Sequence, residues 1–337
     1  MAFRVDNLQY SNWSRPIFQQ MRDGGLDVVH ATIAYHENFR EMVFNIEKWN
    51  ILFDDHSDLI MRAGTFADFG KAKKSGRTAI VFGTQTPAPI EDDVGLVAIL
   101  HTLGVRFMQL TYNNQSLLAT GCYEKIDSGI TRMGRQVISE MNRVGIAIDM
   151  SHSSDRSTLE AIELSTRPIA ITHANPSFWM PARRNKSIEI LKSLAAHGGM
   201  FGFSLYPHHL KNGSCCTLDE FCTMIARTAE LIGEEYLGIG SDLCQNQPDT
   251  VVKWMRNGRW TKDIDYGEGS KDNAGFPNQP TWFKDNRDFA NLEIGLNKVG
   301  FSKRGVDRIL GENWMRFYHQ SFSSSAKQEN GLVGGGR

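Results

Sequence analysis

The sequence predicts an α/β fold, a single (β/α)8 TIM-like barrel, from three observations. Short β-branched apolar runs alternate with longer amphipathic segments along most of the chain; that pattern means parallel strands joined by helical crossovers. Two of the runs, Val144–Met150 and Pro168–Thr172, lead into histidines, His152 and His173, with a helix-like spacing of Leu159, Ile162 and Leu164 between them. No linker-like stretch divides the 337 residues, so one barrel domain over residues 1–325 is expected, with 326–337 as a disordered tail.

The elements follow in order. Leu26–His30 reads as the first strand and Glu37–Arg62, mixed charged and apolar, as a long helix. Thr78–Gly83 is the second strand, Asp92–Leu103 a helix closed by Gly104, and Val105–Thr111 the third strand. Gly134–Arg143 is a helix ended by Gly145, ahead of the two histidine strands with the helix Ser153–Ser165 between them. Gly199–Leu205 and Tyr236–Asp242 are further strands, separated by the amphipathic helix Leu218–Ile232. Helices over Asn286–Lys298 and Lys303–Phe317 finish the pattern. These are seven strands, and a barrel needs an eighth. The segment 245–282 has Gly, Asn, Asp and Trp without periodicity; it follows the seventh strand and is expected to cover the barrel mouth.

Composition narrows the function. Hydrophobic content is 41% and charged content 22%, with a formal net charge of −1. That balance gives no electrostatic basis for a nucleic-acid or anionic-membrane partner. No apolar run approaches a membrane span, and the N-terminus lacks a signal-peptide core. The five cysteines, Cys122, Cys215, Cys216, Cys222 and Cys244, suit no zinc ribbon and are expected to be free thiols in a cytoplasmic protein.

In a parallel barrel, chemistry gathers at the C-terminal ends of the strands. The polar residues there are His30, Thr32, Gln85, Tyr112, Asn113, His152, His173 and Asp242. Two imidazoles at neighbouring strand ends make a candidate metal site. His101, His197 and His319 fall in helical segments and read as packing or surface residues. His36 and Glu37, just past the first strand, are candidates for an inward-pointing loop, whereas His208 and His209 read as a solvated loop.

The residues also resemble a known family. The stretches are Leu103–Asn113, Gly134-Arg135 with Met141–Gly145, Ile148–His152, Thr172–Asn175 followed by Ala182–Asn185, Gly240–Asp242, and Leu310–Trp314. They resemble the membrane dipeptidase (renal dipeptidase) family of metal-dependent barrel peptidases, over about Met21 to Phe317. The resemblance implies a homodimeric barrel of the metal-dependent hydrolase type and a two-zinc site that cleaves small dipeptides. It also implies roles: His152 and His173 as ligands of the second metal, Arg184 as the contact to a substrate carboxylate, and Asp242 as the group that handles protons. Tyr112 falls where the family has a substrate-contacting histidine, and Asn113 beside it joins the substrate-binding candidates.

The metal motif departs from the family. Its first strand ends in a His-x-Asp motif, which on this chain aligns with His30-Ala31-Thr32, so the aspartate becomes Thr32. A second register puts Asp27 there and loses the histidine; the apolar Val28-Val29 leading into His30 favours the first. The family's bridging glutamate falls on Gln85. Two anionic ligands are then gone, and a bridging carboxylate is what offsets the repulsion between two cations. The expectation is one divalent ion, zinc by ligand type, held by His30, His152, His173 and Asp242. If Asp242 is not a ligand, it is the natural general base. A metal-free site using the histidines as acid–base groups beside Tyr112 is a further possibility. The function expected is a metal-dependent hydrolase of a small carboxylate-bearing amide or dipeptide-like substrate. The alternatives are a lyase or isomerase acting on a small carboxylate substrate, and a catalytically silent relative that binds a ligand.

Overall fold

Hydrogen bonds between the two ends of one parallel sheet close it into a barrel. The computed structural model describes residues 2–259, 261–264 and 266–322; the expected tail 326–337 lies outside the described residues. The strands are β1 (Val5–Gln9), β2 (Val28–Ala34), β3 (Ile60–Arg62), β4 (Thr78–Thr84), β5 (Val105–Gln109), β6 (Ala147–Asp149), β7 (Ala170–Ala174), β8 (Met200–Phe203) and β9 (Leu237–Ile239). Their order is β1-β2-β4-β5-β6-β7-β8-β9, with β3 a short parallel addition beside β4. The Asp242 N–H donates to the Leu8 carbonyl and the Tyr10 N–H to the Leu243 carbonyl, each at 3.0 Å. These bonds join the end of β9 to the end of β1, so eight strands form the wall.

The eighth strand is β1, and it changes the count. The first barrel strand is Val5–Gln9, and Val28–Ala34, expected to be first, is second. β1 does not look like a strand because Asp6, Asn7 and Gln9 break its apolar pattern. All three are nevertheless fully buried, because the barrel gives each side chain a partner, although Asn7 Nδ2 and Gln9 Oε1 have none among the described residues. Asp6 accepts from the Ser241 N–H at 2.7 Å and from Gln9 Nε2 at 2.7 Å, and Asn7 Oδ1 accepts from the Tyr318 hydroxyl at 2.6 Å.

The long helix expected over Glu37–Arg62 is Phe39–Asp55, started by a reciprocal cap between Asn38 and Glu41, and its expected C-terminal end is β3 instead. Three helices lacked a clear sequence signal: Arg15–Asp23, Phe66–Lys74 and Ile188–Ala196. Among its described residues, the segment 245–282 contains one helix, Asp249–Asn257. As expected, it reaches the mouth, where Val252, Met255, Arg256 and Glu268 line a cavity.

The opposite end of the barrel is plugged by the helix Asn313–Ser321. Trp314, Phe317 and Tyr318 are fully buried against Val5, Val28, Val81 and Phe107. Trp314 Nε1–H donates to the Ile239 carbonyl at 3.0 Å. A Cβ on Gly238 would come within 2.3 Å of that nitrogen, so the plug requires a glycine in β9. With that end filled, the cavity that the sheet builds lies at the C-terminal ends of the strands.

Candidate functional site

Asp149, the last residue of β6, organises the two histidines. Its carboxylate accepts four hydrogen bonds: from the Ser151 N–H (3.0 Å) and hydroxyl (2.5 Å), and from the Thr172 N–H (3.1 Å) and hydroxyl (2.6 Å). Burial pushes its pKa up, but four donors identify it as the acceptor. The Thr172 hydroxyl, having given its proton to Asp149, accepts from His173 Nδ1 at 2.7 Å. Asn113 Oδ1 accepts from His152 Nδ1, also at 2.7 Å. Each imidazole therefore carries its proton on Nδ1 and presents a bare lone pair on Nε2. The two Nε2 atoms stand 3.0 Å apart. Burial first, and the Arg184 charge second, hold both imidazoles well below the ordinary histidine pKa. Two facing lone pairs at that distance repel unless a cation lies between them.

Asp242 follows β9 at φ +58°, a left-handed conformation that side chains rarely adopt. Burial raises its carboxyl pKa to about 7, with the Arg184 charge pulling the other way. Asp242, His152, Arg184, Tyr112 and Asn113 all line one narrow cavity of about 30 Å³ at the barrel mouth. The Tyr112 ring stacks on His152 with centroids 3.8 Å apart. Five of the expected site residues are thus brought together, with His173 joined through His152.

His30 is not among them. It lies on the second barrel strand, its Nδ1 2.9 Å from the Asn7 carbonyl and its ring stacked on Phe107 at 4.5 Å. The ring lies so close to Gly83 that a Cβ there would meet Nε2 at 1.9 Å, and burial lowers its pKa to about 4. Among the described residues no three His, Cys, Asp or Glu side chains converge as a metal shell, so the four expected ligands are not assembled in one place. The strand count explains part of this. The end of the first barrel strand is Leu8-Gln9-Tyr10, which has neither imidazole nor carboxylate, and His30-Ala31-Thr32 sits one strand later than the sequence reading put it. Thr32 and Gln85 do meet: Gln85 Nε2 donates to Thr32 Oγ1 and to the Tyr35 hydroxyl, each at 2.9 Å. His36, a candidate for pointing inward, instead has Nε2 3.0 Å from the Met255 carbonyl.

Arg184 is almost wholly buried. One Nη donates to the Ser151 carbonyl and the other to the His173 carbonyl, the latter at 3.0 Å, so the guanidinium ties together the two histidine-bearing strand ends. Its Nε has no partner among the described residues. Sequence reasoning missed Tyr206, Arg256 and Glu268, which line the same cavity, and placed His209 in solvent although it is buried there. The strand-end pattern that found Asp242 has no counterpart for residues carried in by a covering segment.

Residues 9–254 match the membrane dipeptidase family, peptidase family M19. The chain belongs to that family. An amidohydrolase structure from Pseudomonas aeruginosa is 35% identical and superposes with a TM-score of 0.90 over 95% of this chain and 97% of its own. Dipeptidase verJ of Clonostachys rogersoniana is 28% identical over 62% of this chain and 54% of its own length. A metallopeptidase structure from Rhodobacter sphaeroides, liganded with a phosphinate mimic of the dipeptide L-Ala-D-Ala, shares the fold at 14% identity and a TM-score of 0.77, over 94% of this chain and 99% of its own. The chain spans between 42% and 63% of the length of the curated relatives it matches. Membership in this family of metal-dependent hydrolases agrees with the barrel, with the mouth-facing cavity and with the resemblance noted in the sequence. All five cysteines are free. Among the described residues no helix is long and apolar enough to cross a membrane.

Proposed function

We propose that this chain hydrolyses a small amide or dipeptide-like substrate bearing a carboxylate, with no more than one divalent metal ion. The observation that carries the reading is the pair of Nε2 lone pairs 3.0 Å apart on His152 and His173, each backed by a fixed outer hydrogen bond. Outer-sphere partners of this kind are how proteins aim imidazoles at a metal. Two nitrogens on one tetrahedral zinc stand about 3.3 Å apart, close to the spacing seen. The pair supplies two nitrogens, which can serve one ion and not two; no third His, Cys, Asp or Glu joins them among the described residues. The end of the first strand, Leu8-Gln9-Tyr10, offers no imidazole or carboxylate, the Asp6 carboxylate is bonded to Ser241 and Gln9, and Gln85 is a neutral amide bonded to Thr32 and Tyr35.

A zinc-like ion held there would lower the pKa of a bound water and polarise the substrate carbonyl. The chain's own residues do the rest. Asp242, held near pKa 7 by burial, takes the proton from the attacking water. Arg256 and the free Nε of Arg184 meet the substrate carboxylate. Tyr112 and Asn113 close the wall beside His152 and keep it dry, which strengthens every charge interaction inside. The lyase or isomerase and silent-relative alternatives have no observation in their favour comparable to the histidine pair. The homodimer implied by the family resemblance and the cytoplasmic setting belong to the same proposal.

The test is metal analysis of protein purified without added metal, together with a dipeptide hydrolysis panel. Between zero and one ion per chain, with cleavage that depends on that ion and on Asp242, is the expected result. Two stoichiometric ions, or no cleavage across the panel, would overturn the reading.

A further inference from the structure

Glu268 reaches the cavity from the covering segment rather than from a barrel strand. It is flanked by glycines, Gly267-Glu268-Gly269. Gly267 has φ +57°, and a Cβ there would stand 3.2 Å from the Tyr123 hydroxyl; a Cβ on Gly269 would stand 3.2 Å from Arg256 Nη1. The two glycines let the backbone pass tightly between Tyr123 and Arg256 and carry the carboxyl inward. Once there, Glu268 Oε2 accepts from the Tyr123 hydroxyl and lies 3.8 Å from His209 Nε2. Its other oxygen, Oε1, is buried with no hydrogen-bond partner among the described residues, and neither has His209 Nδ1. Buried polar atoms are almost always paired. Two residues of one cavity that each carry an orphaned polar atom, one of them a carboxyl that the barrel itself does not need, point to a group that acts on a ligand.

We propose that Glu268 is a second acid–base residue of this site, which protonates the amine leaving group as the substrate's amide C–N bond breaks. The inference rests on the hydrolase reading. The carbonyl carbon gains the oxygen of water, whose proton goes to Asp242. The C–N bonding pair stays on nitrogen, which takes the Glu268 proton, and an amine and a carboxylic acid leave. The cycle ends with Asp242 protonated and Glu268 ionised, and exchange with solvent restores both. The groups that face Glu268 are Tyr123, Cys122, His209, the backbone N–H and guanidinium of Arg184, Arg256 and Asp242. Burial raises the Glu268 carboxyl to about pKa 7, where a useful fraction carries a proton near neutrality.

The test compares two probes with the full-length protein: L-Ala-D-Ala and its ester counterpart L-Ala-D-lactate. Both keep the carboxylate, but the ester's alkoxide leaves without prior protonation far more readily than an amine does. Glu268→Gln is expected to slow the dipeptide about 10²-fold or more and the ester less than tenfold. The alkaline limb of kcat/KM near pH 7 should disappear, and Glu268→Asp should partly restore both. Equal slowing of both probes, or an unchanged alkaline limb, overturns the role and leaves Glu268 as a brace for the segment. Wild-type protein that cleaves neither probe overturns the hydrolase reading and this role with it; cleavage of both by wild type, slowed equally in the variant, overturns this role alone.

Discussion

Asn113 and Thr172 sit on opposite sides of one histidine pair and do the same job: each accepts a hydrogen bond from the Nδ1–H of an imidazole, at 2.7 Å, and so turns a bare Nε2 toward the other ring. Asp149 stands behind Thr172 and fixes the direction of its hydroxyl. The two imidazoles are thus set by three residues, Asn113 in the cavity wall and Thr172 backed by Asp149, and the site should fail when one of these is changed with both histidines left in place.

Thr172→Val is the first prediction. It keeps the shape of the threonine and removes the hydroxyl. His173 Nδ1 then loses its acceptor, and Asp149 loses one of four donors. Metal affinity should fall about 10- to 100-fold, the usual penalty for losing an outer-sphere partner, with the fold retained. Titration against a competing chelator measures it, and unchanged affinity would show that the pair does not hold the ion.

The second prediction concerns the altered positions. Introducing Thr32→Asp and Gln85→Glu together should not recruit a second tightly bound ion. Both residues are buried, but Thr32 is on the second barrel strand, and the end of the first strand supplies no imidazole. Two carboxylates placed 2.9 Å apart, where Thr32 and Gln85 now bond, would instead destabilise the apo protein at neutral pH. Elemental analysis and a thermal melt check both halves.

Much of this site was legible in the sequence, and the failures have physical causes. β6, β7 and β9 are unbroken aliphatic or glycine-rich runs, so His152, His173 and Asp242 could be put at strand ends by pattern alone. β1 could not be seen, because Asp6, Asn7 and Gln9 are polar residues that find their partners in distant segments brought near by the barrel. Missing it shifted the strand count by one and carried His30 and Thr32 onto the wrong strand. Arg184 was found by its neighbours, yet no local pattern reveals that its fork faces two carbonyls. Arg256 and Glu268 ride on a segment without periodicity, and only the left-handed Gly267 hints that its neighbour is being aimed.

The third prediction separates the two arginines. Arg184→Ala removes two charge-assisted bonds to the Ser151 and His173 carbonyls, and the loss should be at least about 3 kcal/mol, from two such bonds at 1.5 kcal/mol or more each. The melting temperature should drop, and KM and kcat should both worsen because the histidine ends are no longer tied. Arg256→Ala, on the covering helix, should raise KM for a carboxylate-bearing dipeptide with little change in melting temperature. A stable Arg184→Ala protein with a purely KM defect would give Arg184 the carboxylate role alone.

The last prediction is a pH argument at Asp242. Its folded carboxyl titrates near pH 7 because of burial, whereas in the unfolded chain it titrates near the ordinary aspartate value of about 3.9. Between those values the folded state binds more protons than the unfolded one, so stability falls as pH rises from about 4 to about 7 and is flat outside that window. Asp242→Asn removes this contribution. The variant of the metal-free protein should therefore gain stability relative to wild type at pH 8 and show no gain at pH 4. Activity should move the opposite way. The acid limb of kcat/KM near pH 7 reports Asp242 losing its proton, and the asparagine variant should lose that limb along with about 10²-fold or more of turnover. A stability gain at pH 8 with normal turnover would make Asp242 a buried structural acid. Lost turnover with lost metal would make it a ligand. Lost turnover with metal retained would leave it as the base.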